Sequence, residues 1–207
     1  MAEQLKIKFC GLRRMEDILY ANETHPDYIG FVFAPTRRYI APQEAKKLKE
    51  ALQPDIQAIG VFVNEAPQKI VEIAEHHIID MIQLHGQEDL HYIRQLRQFT
   101  SCPIIKAIRV RSEEDILAVM DLPVDYFLLD KYDEREPGGT GKSFDWSMIQ
   151  EMEKPFFLAG GLNAENVSQG AALHPYGLDI SSGIETDGKK DLAKMRQIMH
   201  ILGRDKK

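Results

Sequence analysis

Eight short apolar runs, each separated from the next by a longer stretch, constrain this chain more than any other feature. The runs are LKIKFC (5–10), YIGFVF (28–33), AIGVFV (58–63), DMIQLH (80–85), PIIKAI (103–108), VDYFLLD (124–130), PFFLAG (155–160) and GLDIS (177–181). Between them, PQEAKKLKEAL, PQKIVEIAEHH, EDLHYIRQLRQ and SEEDILAVM space their apolar residues three and four apart, the period of one helix face. Pro42, Pro67 and Ser112 stand at or just before a first helical turn, with acidic residues soon after. A last helix is expected from about Asp191 to Leu202. Eight strand–helix units in 207 residues predict an α/β protein of one domain, residues 1–207, folded as a (β/α)₈ TIM barrel of eight parallel strands. An open doubly wound sheet is the other topology open to this pattern, because strand order in space is not written in it. There is no linker or low-complexity block, and the strand–helix unit is the only repeat.

Charge and cysteine usage narrow the class. A formal charge of −6 opposes nucleic-acid binding, which needs a concentrated basic surface to replace phosphate counterions. With 43% hydrophobic and 28% charged residues, the composition is that of a soluble globular protein. The opening MAEQLKIKF has no apolar run long enough for a signal peptide, and no later stretch approaches a membrane span. Cys10 and Cys102, far apart, make neither a disulfide framework nor a zinc spacing. The expectation is a reduced, cytoplasmic protein, monomer or homodimer, with no metal and no nucleic-acid or membrane partner.

In a barrel of this kind the chemistry gathers where strands end and loops begin. Cys10 ends the first run, Arg37 and Arg38 follow the second, and His85 and Gly86 close the fourth. Asp130 ends the sixth run, Gly160 and Gly161 the seventh, and Ser181, Ser182 and Gly183 the eighth. LAGGLNAENV reads as strand, glycine pair and then Asn163 as the N-cap of a helix, and LDISSGIE supplies a second small, flexible turn beside it. Glycine permits close backbone approach, so N–H groups there can hold a phosphate, and the loops after strands seven and eight are where this architecture holds one. A third glycine-rich stretch, EPGGTGKSF (136–144), lacks P-loop spacing. With Gly139, Thr140 and Gly141 at its centre, it reads as a mobile cover over the substrate.

Two residues suit proton transfer. Asp130 closes the apolar run YFLLD, where a carboxylate is costly unless it faces the barrel mouth. Alternation places Ile7 and Phe9 on one face of the first strand and Lys6, Lys8 and Cys10 on the other, so Cys10 looks into the barrel beside Lys8. An ordinary thiol is only slightly ionised at neutral pH, and a nearby cation raises the thiolate fraction. No His–Asp pair in the sequence is obviously placed to complete a cysteine-hydrolase triad, so a thiolate base working with a carboxylic acid fits better than a covalent nucleophile. Arg38, preceding Tyr39, carries a planar guanidinium suited to a carboxylate. His85 in QLHG has two readings: polarising a substrate, or simply hydrogen-bonding at the strand exit. Cys102 sits at a strand entrance, the wrong end, and reads as structural.

The set KFCGL, GFVFAPTRRYI, GVFVNE, IQLHG, LLD…GGTGKSFDW, LAGGLNAENV and DISSGIE…GKKD, in that order along nearly the whole chain, closely resembles the phosphoribosylanthranilate isomerases of tryptophan biosynthesis. The resemblance implies an Amadori rearrangement of a phosphosugar substrate without metal or organic cofactor. N-(5-phosphoribosyl)anthranilate would become 1-(2-carboxyphenylamino)-1-deoxyribulose 5-phosphate. By position, it implies Cys10 as general base, Asp130 as general acid and Arg38 as the grip on the anthranilate carboxylate. Asp179 matches an aspartate of the family at the end of the eighth strand, its role left open. Arg13 stands where a small polar residue is expected, Phe9 where an aliphatic is usual, and Asp187 where proline is common; the last two read as packing and loop variation. Two rivals are weighed. A related barrel isomerase of histidine biosynthesis would carry aspartate at position 10, and a silent phosphate-binding barrel would need neither Cys10 nor Asp130.

Overall fold

The computed structural model describes residues 4–131, 152 and 154–204. Pairing of the first strand with the last decides between the two topologies. Strand β1 (Lys6–Cys10) runs parallel to β2 (Tyr28–Val32) on one side and to β8 (Gly177–Ile180) on the other, with Lys8 opposite Asp179. Between them β3 (Gln57–Phe62), β4 (Met81–Leu84), β5 (Ile104–Val110), β6 (Tyr126–Lys131) and β7 (Phe156–Ala159) follow in sequence order and close the barrel. An open sheet is thereby excluded.

Seven α-helices lie among the described residues: α1 (Met15–Thr24), α2 (Pro42–Glu50), α3 (Pro67–Glu75), α4 (Leu90–Arg97), α5 (Glu113–Leu117), α6 (Val167–Ala171) and α7 (Leu192–Ile201). Pro42 and Pro67 open their helices, where a missing N–H costs nothing and the ring already holds the helical φ. Ser112 caps α5, and Asp191 caps α7 by accepting from the amides of Ala193 and Lys194 at 2.9 and 3.2 Å.

The period-two alternation expected for β1 holds. Ile7 and Phe9 join the large apolar layer between strands and helices, with Ile29, Phe31, Phe127 and Leu129. The opposite face fills the barrel. Tyr28, Ile59, Met81, Ile105, Leu128 and Phe157 form its interior layer, and Cys10, Val32, Ala34 and Val61 a small cluster nearer the C-terminal mouth. The floor is aromatic: the Tyr28 and Tyr176 hydroxyls lie 2.7 Å apart, and both rings meet Phe157 edge-on.

Three local expectations need correction. Asn163 does not cap α6. Its side-chain oxygen is used in a turn onto the Glu165 amide (2.8 Å), and the helix opens later, with Asn166 at the cap position. β5 runs to Val110, past the apolar run that ended at Ile108, because Arg109 continues the inward face of Ile105 and Ala107 at the rim. Finally, ETDGKK is a hairpin: β9 (Glu185–Thr186) pairs antiparallel with β10 (Lys189–Lys190). Asp187 (φ 50°) and Gly188 (φ 73°) form its two-residue turn, which needs positive φ at both positions. Proline, locked near φ −65°, cannot take the place of Asp187 in it.

Candidate active site

A cavity of about 360 Å³ opens at the C-terminal mouth of the barrel. Its wall includes Cys10, Arg38, His85, Asp130 and Asp179, together with Gly160, Gly161, Ser181 and Ser182. These come from six strand exits, so the fold brings the sequence candidates to one place. Gly183 is the exception. It sits in the short 3₁₀ turn Ser182–Ile184 and backs onto the Leu162 carbonyl, so that it ties the two final loops together without lining the cavity. Gly139, Thr140 and Gly141 lie outside the described residues.

Cys10 owes its placement to glycine. Gly30, its partner in the β1–β2 register, leaves the space for the sulfur: a methyl group on Gly30 would stand 2.6 Å from Cys10 Sγ. Gly11 turns the chain out of the strand at φ +83°, a conformation L side chains rarely adopt. It also provides the floor for Arg38, whose Cδ would meet a methyl on Gly11 at 2.3 Å.

Beneath the cavity a buried polar network joins β1, β4 and β8. Lys8 is 0% exposed, and its Nζ donates to Gln83 Oε1 (2.7 Å), Asp179 Oδ2 (3.1 Å) and Cys10 Sγ (3.5 Å). Lysine only donates, so Gln83 must turn its oxygen to Lys8 and its amide N–H₂ away. That N–H₂ faces His85 Nδ1 at 2.8 Å, which makes Nδ1 the acceptor and puts the imidazole proton on Nε2. Nε2 in turn faces Asp130 Oδ2 at 3.3 Å. Polar contacts thus run from the neighbour of Cys10 to Asp130, the last of them a close approach and not a hydrogen bond; of the two readings of His85, the hydrogen bond at the strand exit is present, made to Gln83.

Burial pulls the Lys8 pKa down, but the charges of Asp179 and Cys10 and their hydrogen bonds push it above the usual lysine value, so Lys8 is a cation. The expectation that this cation enriches the thiolate is met only in part. Burial raises the Cys10 pKa; Lys8 and Lys190 pull it down, Asp179 pushes it up again, and the net direction is upward. Desolvation of a residue 7% exposed, with the Asp179 charge beside it, wins over the two cations. Asp179 Oδ1 is the one buried side-chain polar atom without a hydrogen-bond partner among the described residues, and its side chain lines the cavity.

Several residues were invisible as site components in the sequence. Gln83 shares the inward face of β4 with His85, so the alternation rule could have found it. The loop carrying His85 is pinned from below: Lys106, buried, donates to the Gly86 carbonyl (2.7 Å) and Glu88 (2.8 Å), and Glu88 accepts from the Asn64 and Gly86 amides. Glu185, whose side chain is 7% exposed, accepts from Arg38 Nε (2.7 Å) and Nη2 (2.9 Å), Lys190 Nζ (2.8 Å) and Arg37 Nη2 (3.0 Å). Burial pushes its carboxyl up, but the bonds and charges of Arg38 and Lys190 outweigh this and hold it at about 2. Arg37 is exposed yet paired with the same carboxylate. Arg13 is exposed and outside the cavity wall, with its amide bonded to Asp17 (2.9 Å) at the start of α1. Cys102 lies just before β5, against the outer apolar layer. No cluster of His, Cys, Asp or Glu among the described residues could hold a metal ion, and no helix among them is long and apolar enough to cross a membrane.

Comparison with known proteins gives this cavity its context. An isomerase from Lachnoclostridium phytofermentans, named N-(5'-phosphoribosyl)anthranilate isomerase, is 43% identical over 209 residues, covering 94% of this chain and 96% of its own length. The crystal structure of phosphoribosyl anthranilate isomerase from Thermotoga maritima superposes with a TM-score of 0.85 at 36% identity, covering 96% of this chain and 98% of that one. A further structure superposes with a TM-score of 0.83 at 34% identity, over 96% of this chain and 99% of that one. That enzyme is in complex with reduced 1-(o-carboxyphenylamino)-1-deoxyribulose 5-phosphate. The family model described as N-(5'phosphoribosyl)anthranilate (PRA) isomerase matches residues 7–200, and on this match, with relatives more than 40% identical over nearly their whole length, the chain belongs to that family.

Proposed function

We propose that this chain isomerises N-(5'-phosphoribosyl)anthranilate to 1-(2-carboxyphenylamino)-1-deoxyribulose 5-phosphate by general acid–base catalysis. The observation that carries the reading is the meeting of Cys10, Asp130, Arg38 and the two small-residue turns in one cavity. Asp130 gives a proton to the furanose ring oxygen, the C1–O bond opens, and the anilino nitrogen lone pair completes an iminium at C1. Cys10 then removes the C2 proton, leaving an enolamine that tautomerises to the ketone. His85 Nε2 stands beside Asp130 Oδ2 at 3.3 Å. Cys10 acts as the thiolate and becomes the thiol on taking the C2 proton, and Lys8, 3.5 Å from its Sγ, favours the thiolate form by its charge.

The substrate's charges divide between the two sides of the mouth. Gly160 (φ +94°) and Gly161 (φ +68°) present bare backbone beside Ser181 and Ser182 for the phosphate. Ser181 spends its hydroxyl proton on the Cys10 carbonyl (3.0 Å), so Ser181 meets the phosphate through its backbone. Arg38 takes the anthranilate carboxylate. Asp179 Oδ1, which meets no donor among the described residues, accepts from a hydroxyl or the anilino N–H of the bound substrate. The test is consumption of freshly made phosphoribosylanthranilate, followed by loss of its fluorescence. Well-folded protein that consumes none sinks the reading.

A further inference from the structure

The reading of Arg38 as the carboxylate grip raises the question of what aims it. A guanidinium has two edges that can take a carboxylate with parallel hydrogen bonds: the side edge, Nε and Nη2, and the end edge, Nη1 and Nη2. In this structure the side edge is already occupied by the two oxygens of Glu185, at 2.7 and 2.9 Å. Among the described residues no protein acceptor meets Nη1. Arg38 lines the cavity and Glu185 does not, so the carboxylate stands behind the guanidinium as seen from the substrate.

We propose, resting on the reading that Arg38 binds the substrate carboxylate, that Glu185 is a positioning residue that takes the side edge of Arg38 and turns its end edge to the cavity. The rest of the surroundings is built to keep Glu185 there. The Asp187–Gly188 hairpin returns Lys190 to it at 2.8 Å, and Lys190 also donates to the Ser181 carbonyl at 3.0 Å. Lys194 Nζ donates to the Glu185 carbonyl at 2.6 Å. The stem of Arg38 lies across Gly11, which fixes its other end. One carboxylate among Arg37, Arg38 and Lys190 leaves the cluster net cationic, so a second carboxylate arriving at Arg38 is attracted. Selectivity for a substrate with an ortho carboxylate then depends on a residue that does not touch it.

Two ligands separate this role from a merely structural one: reduced 1-(o-carboxyphenylamino)-1-deoxyribulose 5-phosphate and its counterpart made from aniline, which lacks the ring carboxylate. Both are titrated calorimetrically into wild type, Glu185→Gln, Glu185→Asp and Arg38→Ala. Gln keeps the size of the side chain but cannot accept two parallel bonds, and Asp keeps the charge but falls short by one methylene. Glu185→Gln and Glu185→Asp are each expected to weaken the carboxylated ligand by about tenfold or more. The aniline counterpart is expected to shift by less than about twofold, because the loss is confined to the carboxylate contact. Equal weakening of both ligands overturns the proposal in favour of a structural role. Unchanged or tighter binding of the carboxylated ligand overturns it too, tighter binding meaning that Glu185 blocks Arg38. If Arg38→Ala weakens the two ligands equally, so that the wild-type preference for the carboxylated one survives, the carboxylate reading of Arg38 falls first, a result separate from the other two.

Discussion

Gly30→Ala perturbs the proposed base without altering any reacting group. Gly30 faces Cys10 across the β1–β2 ladder and has an ordinary strand backbone, so alanine brings no conformational strain. The added methyl would stand 2.6 Å from Sγ, whereas ordinary contact begins at 3.4 Å, so the sulfur must retreat by about 0.8 Å. The Cys10 Cα and Cβ, at 3.2 and 3.3 Å, need move only by tenths of an ångström. Displacing a proton-transfer group by ~1 Å costs on the order of 10²-fold in rate. Overpacking at one site costs ~1–3 kcal/mol, or roughly 3–10 °C in melting temperature for a chain of this size. The expected result is therefore a protein that still folds, melts a few degrees lower and turns over about a hundredfold more slowly, with KM changed far less than kcat. Substrate fluorescence decay gives kcat and KM, and a thermal melt followed by circular dichroism gives the fold. A variant that melts as expected yet keeps kcat within about threefold of wild type refutes the argument, because the thiol would then be free to move without consequence.

Three further outcomes follow from the same geometry. Cys10→Ala and Asp130→Asn should each lose about three or more orders of magnitude in kcat with folding intact, since each removes one proposed proton-transfer partner; near-normal turnover in either removes that residue from the mechanism. Lys8→Met leaves Asp179 buried without its cation, which costs ~3–5 kcal/mol in urea unfolding. Adding Asp179→Leu to that variant should recover part of the loss, and a double variant no more stable than Lys8→Met would contradict the pairing. Glu185 links stability to acid. Its carboxyl is held at about 2 against a usual 4.5, so it stabilises the fold above pH 4.5 and loses that contribution as pH falls towards 2. Discounted for the open mouth beside it, the contribution is ~2 kcal/mol at neutral pH. The stability gap between wild type and Glu185→Gln should fall to less than half by pH 3, and a gap independent of pH would show that the carboxylate carries no such linkage.

Much of the architecture was legible because it is repeated. Each strand–helix unit carries its own periodicity, and eight of them in succession leave few ways to close a sheet. The inward turn of Cys10 beside Lys8 followed from alternation within five residues. Asp187 was legible only as a departure from a pattern, because the hairpin that needs it is recognised by two positive φ angles, not by residue type alone. Asn163 misled for a related reason: the same side chain that caps a helix can close a turn instead, and the competition is settled by local geometry.

What the sequence by itself determined was the set of strand exits, the residues standing on them and which side of β1 faced the barrel. These depend on spacing along the chain, and spacing survives without coordinates. Tertiary structure alone decided closure, which rests on β1 meeting β8, and the balance of charge in the mouth. Lys8 and Gln83 are 75 residues apart, and Arg38 and Glu185 are 147 apart. No periodicity spans such separations. Nor does the sequence state how deeply a thiol is buried, and burial is what set the direction of the Cys10 shift against its neighbouring cation. A pairwise Coulomb attraction is visible as soon as two residues are known to be adjacent, but desolvation is a property of everything packed around them.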